Sequence, residues 1–314
     1  MLILSFSHFI VDLSCALLVA NLATNNMLLL LILYNFCAFA LEMPLGIVIE
    51  DEFPPLKVAS VGIGMILLSW IFLNIPILAL IIAGTGNALF HLGGGLSVMK
   101  KSTNAAPLGV FIGPGAAGIY LGAFLGKIWV LPTLICILML AIVLWKMPKK
   151  CEMIKMKTEI FQGTKLAFVA LFFLVVLRGF SGISQVFPWK GQWSIAFVLV
   201  VIFGKMVGGY LSDYFGAFRT GIVSLSVAAI CFAFPTKPFC GLVGMFSFQL
   251  TMPITLWMLS KMTTKGFAFG LLTFGLFIGS LPSLLNLKCT VPLFVFIIVS
   301  ILLFVLGMRK EGSR

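Results

Sequence analysis

Long apolar runs alternate with short polar interruptions along almost the whole chain. The runs are about 18–25 residues long, which is the length that an α-helix needs to cross a hydrocarbon core about 30 Å thick. Pro, Asn or Gly marks many of the connections, and the longest connection divides the chain near its middle. The predicted spans are residues 1–22, 27–49, 57–74, 76–98, 105–126, 128–147, 163–186, 191–211, 218–235, 238–260, 265–287 and 289–308.

Composition narrows the protein class. Hydrophobic residues make up 61% of the chain and charged residues 10%, whereas a soluble domain has about 45–50% and about 25%. The net charge of +12 does not indicate a nucleic-acid partner, because the lysines and arginines stand singly or in small groups between the apolar runs. We therefore expect an all-α, multi-pass protein of the lipid bilayer without a nucleic-acid partner. Met1 leads almost directly into an apolar run, so no cleavable signal peptide is expected.

The basic residues predict the orientation of the chain. With both termini in the cytoplasm, sixteen of the 21 lysines and arginines lie on the inner side and four on the outer side, while Arg178 lies inside a span. This bias fits the positive-inside rule and an even number of spans. The predicted location is the plasma (inner) membrane.

A repeat relates the two halves of the chain. Gly46 and Glu50 follow one another by four residues near the end of span 2, and Gly209 and Asp213 do the same near the end of span 8, at an offset of 163 residues. The repeat predicts twelve transmembrane helices in two pseudo-symmetric six-helix bundles, the layout of carriers that bind substrate between their halves. The predicted parts are an N-terminal bundle (1–147), a cytoplasmic linker (148–162) and a C-terminal bundle (163–314).

Residues 204–219 resemble the loop motif that recurs after helices 2 and 8 in the major facilitator superfamily. Four positions match its spacing in the second half, and the weaker first copy has Glu50 where the motif has Asp. The resemblance implies a conformational role, in which small residues let helices approach and the acid caps a helix end or pairs with a base. The motif residues are Gly46, Glu50, Gly209, Asp213, Gly216 and Arg219.

Two further resemblances concern the direction of transport. Residues 7–12 and 86–91 are similar to helices 1 and 4 of fosmidomycin-resistance-type exporters, and span 5 is similar to the Gly-Pro motif of proton-coupled antiporters. They imply a proton-coupled exporter of a small molecule that works by alternating access. An importer or uniporter on the same scaffold, and a non-transporting sensor or assembly protein, stay open as alternatives. The residues of the Gly-Pro motif are Gly109, Gly113, Pro114 and Gly118.

Ionisable residues inside the spans are the candidates for chemistry, because each costs about 2.5–3.5 kcal/mol at the centre of a membrane helix. Asp12 lies near the midplane of span 1, and His8 shares its helix face four residues earlier. A buried carboxylate beside a histidine can bind and release a proton as a cavity opens to either side. Helix packing is the alternative role for these side chains. The proton-coupling candidates are Asp12, His8, His91 and Glu42.

Arg178 is the cation buried deepest in the second half. At the offset of 163 residues it lies one helical turn from the position equivalent to Asp12. It can hold an anionic group of a substrate, or it can pair with Asp12 until a proton releases it. We expect Asp12, His8 and Arg178 to meet in one water-accessible cavity between the halves. The substrate-binding candidates are Arg178, Asp12 and His91.

The remaining patterns exclude other classes. Two histidines without Cys or acid at ligand spacing do not predict a metal centre, and no cofactor is expected. The protein is not expected to be an enzyme, because the sequence contains no nucleophile–base set. The sequence also contains no nucleotide-binding motif, so ATP is not expected to drive the cycle. A disulfide between Cys240 and Cys289 stays open. The expected partners are a small-molecule substrate, protons and lipid, with the chain as a monomer.

Overall fold

The computed structural model describes residues 1–22, 27–147, 165–184, 187–285, 287, 289 and 291–308. The predicted linker at 148–162 lies outside the described residues. The α-helices are α1 (Leu2–Asn21), α2 (Met27–Asn35), α3 (Glu42–Glu52), α4 (Pro55–Ser69), α5 (Pro76–Lys101), α6 (Ala106–Ile112), α7 (Gly115–Phe124), α8 (Val130–Lys146), α9 (Lys165–Ser184), α10 (Ser194–Phe215), α11 (Ala217–Phe232), α12 (Pro238–Met262), α13 (Lys265–Leu284) and α14 (Leu293–Met308). A π-helical turn joins α2 to α3 at Phe36–Ala40, and 3₁₀ turns lie at Trp70–Phe72 and Lys127–Trp129.

The chain is an all-α, multi-pass integral membrane protein. Within the described ranges, ten helical segments are long and apolar enough to cross a membrane. Two further apolar helices, α11 and α14, have 16 residues each. A helix of 16 residues is about 24 Å long at about 1.5 Å per residue. That these two helices complete a set of twelve spans stays a prediction.

The described residues pack into two compact units. The first unit contains Met1–Thr103, residues 114–147 and Thr264–Phe274, and the second contains the rest of the described chain, including Asn104–Gly113. The chain therefore changes unit between α6 and α7, and again within α13. The predicted bundle boundaries at 147 and 163 stay a prediction.

Several helix ends differ from the prediction. Spans 2 and 8 were expected to end at residues 49 and 211, but α3 ends at Glu52 and α10 at Phe215. Glu50 and Asp213 thus lie in the last turns of helices and not in loops. The predicted span at 105–126 consists of two helices, α6 and α7, because Pro114 has no N–H group to continue the hydrogen-bond ladder.

The two ends of α1 lie in different surroundings. One end of α1 enters an apolar cluster in which Leu17, Leu18 and Trp70 are buried. The other end buries polar side chains, so the first unit has a polar site beside an apolar core.

Cys240 and Cys289 are free thiols, so the disulfide left open by the sequence is not formed.

Candidate functional site

A carboxylate and two imidazoles come together inside the first unit. His8 and Asp12 lie one turn apart on α1, with His8 Nε2 3.3 Å from Asp12 Oδ2. His91 approaches from α5, and its Nε2 lies 3.3 Å from Asp12 Oδ1. The exposed fractions of His8, Asp12 and His91 are 7%, 5% and 6%. Asp12 is therefore buried between two imidazoles.

Glu42 extends this cluster through the second nitrogen of His91. His91 Nδ1 lies 3.3 Å from Glu42 Oε1, and Glu42 has no exposed surface. The π-helical turn determines where Glu42 lies, because the turn ends at Leu41, whose N–H donates to Phe36 O at 3.2 Å, and Glu42 begins α3. Wide turns of this kind are frequent at functional sites. We call His8, Asp12, His91 and Glu42 the acid–imidazole chain.

The charge of the acid–imidazole chain depends on its protons. With both imidazoles protonated, two positive charges balance two carboxylates, and each proton lost leaves a net negative charge in a buried place. Such a charge is costly without a counter-ion or water. Aromatic rings border the cluster, since the ring of Phe90 lies 6.0 Å from His8 and 5.8 Å from His91. The arrangement can hold, share and pass a proton between groups that lie 3.3 Å apart.

The same side chains are close enough to hold a metal ion. One ligand atom from each of His8, Asp12 and His91 lies within 4.8 Å of the others, and imidazole and carboxylate are ligands that transition metals use. This grouping does not follow from the spacing of residues along the sequence, because His91 joins the pair on α1 from a distant part of the chain. The expected absence of a metal stays a prediction.

The Gly-Pro motif serves two different helices. A Cβ atom at Gly118 of α7 would overlap the backbone of Phe9 and Leu13 on α1. Gly109 and Gly113, which precede Pro114, instead face α10 in the second unit, where a Cβ at Gly109 would overlap the Lys205 carbonyl and one at Gly113 the Met206 side chain. Gly115, which the motif did not include, leaves room for the acid–imidazole chain, because its Cβ would overlap the Asp12 carboxylate and the His8 imidazole.

Arg178 on α9 is buried in the second unit with an exposed fraction of 4%. Its Nη2 donates to Phe248 O at 2.9 Å and to the Thr251 hydroxyl, and its Nη1 donates to Gln249 Oε1 at 3.4 Å. The guanidinium carbon lies 4.5 Å from the centroid of the Phe248 ring. These partners are on α12 of the same unit, and none is acidic. The predicted meeting of Arg178 with Asp12 and His8 stays a prediction.

The first motif copy joins α3 to the start of α13. Glu50 accepts hydrogen bonds from the backbone N–H groups of Lys265 and Gly266, both at 2.7 Å. The Lys100 ammonium group also donates to the backbone carbonyl of Glu50. Gly46, one turn earlier, allows the close approach, because its Cβ would overlap the carbonyl of Gly266. Glu50 is thus the N-terminal cap of another helix, a position that favours a negative charge.

The second copy repeats this geometry at α6. Asp213 accepts hydrogen bonds from the N–H groups of Ala105 and Ala106, both at 2.9 Å. A Cβ at Gly209 would overlap the backbone of the same two residues. Among the described residues, no ion pair joins Asp213 to Arg219.

Gly216 ends α10 with a φ of 88°. This left-handed backbone conformation favours glycine over residues with a Cβ atom. The glycine of the motif is therefore explained by the turn between α10 and α11.

Gly46→Val should lower the stability of the protein. The added side chain would overlap the Gly266 carbonyl, and forced overlap in a packed interior costs about 1–3 kcal/mol. The measurement is the thermal unfolding midpoint of the purified variant in detergent.

Gly64→Val is the matched control, since a Cβ atom at Gly64 has nothing within 4 Å. Both variants place valine in a helix, so the difference between them isolates the contact. Equal unfolding midpoints for the two variants would contradict the close approach at Gly46.

Sequence reasoning missed several partners of the candidate residues. The contact between Glu42 and His91 joins positions 49 residues apart, and no pattern in the sequence indicates it. The partners of Glu50 and Asp213 are backbone N–H groups, and residue types in the sequence do not indicate which backbone groups a carboxylate will contact. A prolyl residue was a usable signal for the second unit, because Pro253 lies inside α12, where it removes a backbone hydrogen bond close to the residues that contact Arg178.

Comparison with solved structures identifies the fold. The chain is similar to the fucose:proton symporter of Escherichia coli, with a TM-score of 0.66, 10% identity, and coverage of 99% of this chain and 97% of that chain. It is also similar to a bacterial homologue of the iron transporter ferroportin in an outward-facing state, with a TM-score of 0.59, 15% identity, and coverage of 99% and 100%. A structure described as a major facilitator superfamily transporter in the outward conformation gives a TM-score of 0.60 at 12% identity, with 98% of each chain covered.

The chain has the fold of major facilitator superfamily transporters, and the structures that share it are transporters and not enzymes. At identities of 10–15% the likeness concerns the fold. No protein-family model and no curated protein sequence matches the chain.

Proposed function

We propose that the protein is a secondary active transporter that moves a small molecule across the membrane by alternating access, coupled to protons through the acid–imidazole chain. The observation that carries the proposal is the buried alternation of carboxylate and imidazole from His8 to Glu42. The fold, which is shared with a fucose:proton symporter, supports transport of a small molecule. In this proposal α11 and α14 complete twelve spans in two six-helix bundles of a monomer.

Energetic cost favours a functional role for the acid–imidazole chain. Four ionisable side chains inside membrane helices each cost about 2.5–3.5 kcal/mol on insertion scales. Hydrogen-bonded polar groups or apolar side chains could hold α1, α3 and α5 together at lower cost. A role in which these groups gain and lose protons during the transport cycle explains why α1, α3 and α5 carry ionisable residues at these positions.

The direction of transport follows from the resemblances of helices 1, 4 and 5, which favour proton-coupled export across the plasma (inner) membrane with both termini in the cytoplasm. The fold is also used by a symporter, so import by symport is the runner-up on the same scaffold. A uniporter and a non-transporting sensor would lack a reason for the buried charges.

The test uses sealed proteoliposomes that contain a pH-sensitive dye. Pools of small molecules are added outside at equal pH on both sides, and the lumenal pH is followed. We expect one pool to change the lumenal pH in vesicles with the wild-type protein, and the sign of the change separates antiport from symport. Glu42→Gln should reduce the proton movement per transported molecule, because an amide exchanges no proton with His91.

Glu52→Gln is the matched control, since Glu52 is exposed at the end of the same helix, and it should behave as wild type. Uptake of a solute without any change in lumenal pH would favour a uniporter. Stoichiometric binding of Zn²⁺ or Co²⁺ that is lost in Asp12→Asn would show that the acid–imidazole chain binds metal, and would contradict proton coupling there.

A further inference from the structure

Arg178 carries a buried positive charge that has no acid to balance it in its own part of the chain. Between residues 160 and 310 the sequence contains a single acid, Asp213. Both oxygens of that carboxylate accept backbone hydrogen bonds at the start of α6. The partners of Arg178 are a carbonyl, a hydroxyl, a side-chain amide and an aromatic ring. A buried cation without an anion is costly, so its presence calls for an anion that binds there.

Two polar atoms on one face of α9 have no hydrogen-bond partner among the described residues. Within the part of the chain that the structure describes, Arg178 Nε donates no hydrogen bond, and neither does Ser181 Oγ, although Ser181 is only 2% exposed. Residues three apart on a helix lie on the same side, with Cβ atoms about 5–6 Å apart. The two residues therefore lie on one side of α9.

Ser181 differs from four other buried serines of the second unit. Ser224, Ser260, Ser280 and Ser300 each donate to a backbone carbonyl of their own helix, at 2.7–3.0 Å. That bond is the usual way in which a serine within a helix is satisfied. The hydroxyl of Ser181 is left available for another acceptor.

Gln249 of α12 lies opposite this face of α9. Its Oε1 accepts from Arg178 at 3.4 Å, and the acceptor of its Nε2 among the described residues is the sulfur of Met245 at 3.5 Å. Sulfur is a weak acceptor, so the amide can turn to offer its N–H₂ group to a stronger one. Pro253 has no N–H group, so it cannot donate to the backbone carbonyl of Gln249 four residues earlier.

We propose that Arg178, Ser181 and Gln249 form a subsite for an oxyanion group, a carboxylate or a phosphate, of the transported molecule. Guanidinium binds both groups with charge-assisted hydrogen bonds, and the hydroxyl and amide add neutral donors. The inference rests on the proposed transport function, because it names the chemical class of the substrate. It leaves protons to the acid–imidazole chain and assigns the anion to a different part of the molecule.

The test measures binding of small probes to the purified protein in nanodiscs. Propionate and inorganic phosphate are the oxyanion probes, and propionamide is the uncharged probe that matches propionate in shape. Chloride keeps the ionic strength constant. We expect saturable binding, measured by calorimetry and by the thermal unfolding midpoint, for propionate or phosphate and none for propionamide. The stronger of the two oxyanions identifies whether the substrate carries a carboxylate or a phosphate.

Variants locate the binding. Arg178→Gln should abolish it, Arg178→Lys should retain weak binding, and Ser181→Ala should weaken it about tenfold, because a hydrogen bond to a charged group is lost. Ser300→Ala is the matched control, since Ser300 donates to Phe296 O of its own helix, and it should bind as wild type.

Three results would overturn the proposal. Wild-type protein that binds neither oxyanion, or binding that persists unchanged in Arg178→Gln, shows that no oxyanion subsite exists at Arg178. Recovery of wild-type behaviour when Asp12→Asn is added to Arg178→Gln shows that Arg178 is a counter-ion of Asp12. The assay does not depend on transport. Anion binding without uptake into vesicles therefore contradicts only the transport function, and uptake of an uncharged solute without anion binding contradicts only the subsite.

Discussion

Asp12→Asn is expected to reduce transport driven by a pH gradient to the level of empty vesicles. Asparagine keeps the size of aspartate and its capacity for hydrogen bonds, but it cannot exchange a proton with His8 or His91, which lie 3.3 Å from the carboxylate on either side. Exchange of substrate at equal concentrations needs no net proton movement, so it should continue. The measurement compares gradient-driven uptake with equilibrium exchange in the same proteoliposomes.

Asp51→Asn provides the matched control, because Asp51 is an exposed acid on α3 and the chemical change is the same. It should retain both activities. Accumulation of substrate against its gradient in Asp12→Asn vesicles would remove Asp12 from coupling and would leave His91 and Glu42 as the candidates. Loss of exchange together with uptake would indicate that Asp12 binds the substrate.

The combined variant Glu50→Gln/Asp213→Asn is expected to slow turnover strongly while substrate affinity stays nearly unchanged. Each carboxylate accepts two backbone N–H groups at the start of a helix, and a charge in such a place contributes up to about 2 kcal/mol. An amide removes the charge and keeps one acceptor atom. Each single variant should therefore slow turnover about tenfold, and the double variant about 100-fold if the separate caps act independently.

Turnover is measured as the exchange rate in vesicles, and affinity as equilibrium binding to the purified protein. Glu52→Gln, next to the cap but exposed, should leave both unchanged. A loss of affinity equal to the loss of rate would mean that the two acids contact the substrate. Normal turnover in the double variant would show that the caps have no part in the cycle.

Helix positions were predictable because a membrane imposes its own length on apolar runs. The predicted spans overlap the helices throughout the described residues, and the differences include the ends of α3, α10 and α11, the start of α14 and the break before Pro114. Near the ends of α3 and α10 a carboxylate accepts hydrogen bonds from backbone N–H groups at the start of another helix. A pattern of hydrophobic residues contains no information about such partners.

The candidate site was predictable only as a set of residue types. Asp12 and His8 share a helix face, so their contact followed from a spacing of four residues. His91 and Glu42 were identified as buried ionisable residues, but their contacts depend on how α3 and α5 pack beside α1. The π-helical turn before Glu42 changes the helical register there, and no local signal in Phe36–Ala40 predicts it. The hydroxyl of Ser181 was missed because an unused donor is visible only when its surroundings are known.

The stretch of α3 from Glu42 to Glu50 has a mechanical consequence. It carries a member of the acid–imidazole chain at one end and the cap of α13 at the other, and these are eight residues, or about 12 Å, apart on one helix. A short helix resists bending, so a rotation or shift that begins at one end is transmitted to the other. Uptake of a proton beside His91 can therefore loosen or tighten the cap on Lys265 and Gly266 without any intermediate side chain. The number of residues in the π-helical turn sets the rotational position of this stretch of α3 about its axis, because removing one residue would rotate both ends of the stretch by about 100°.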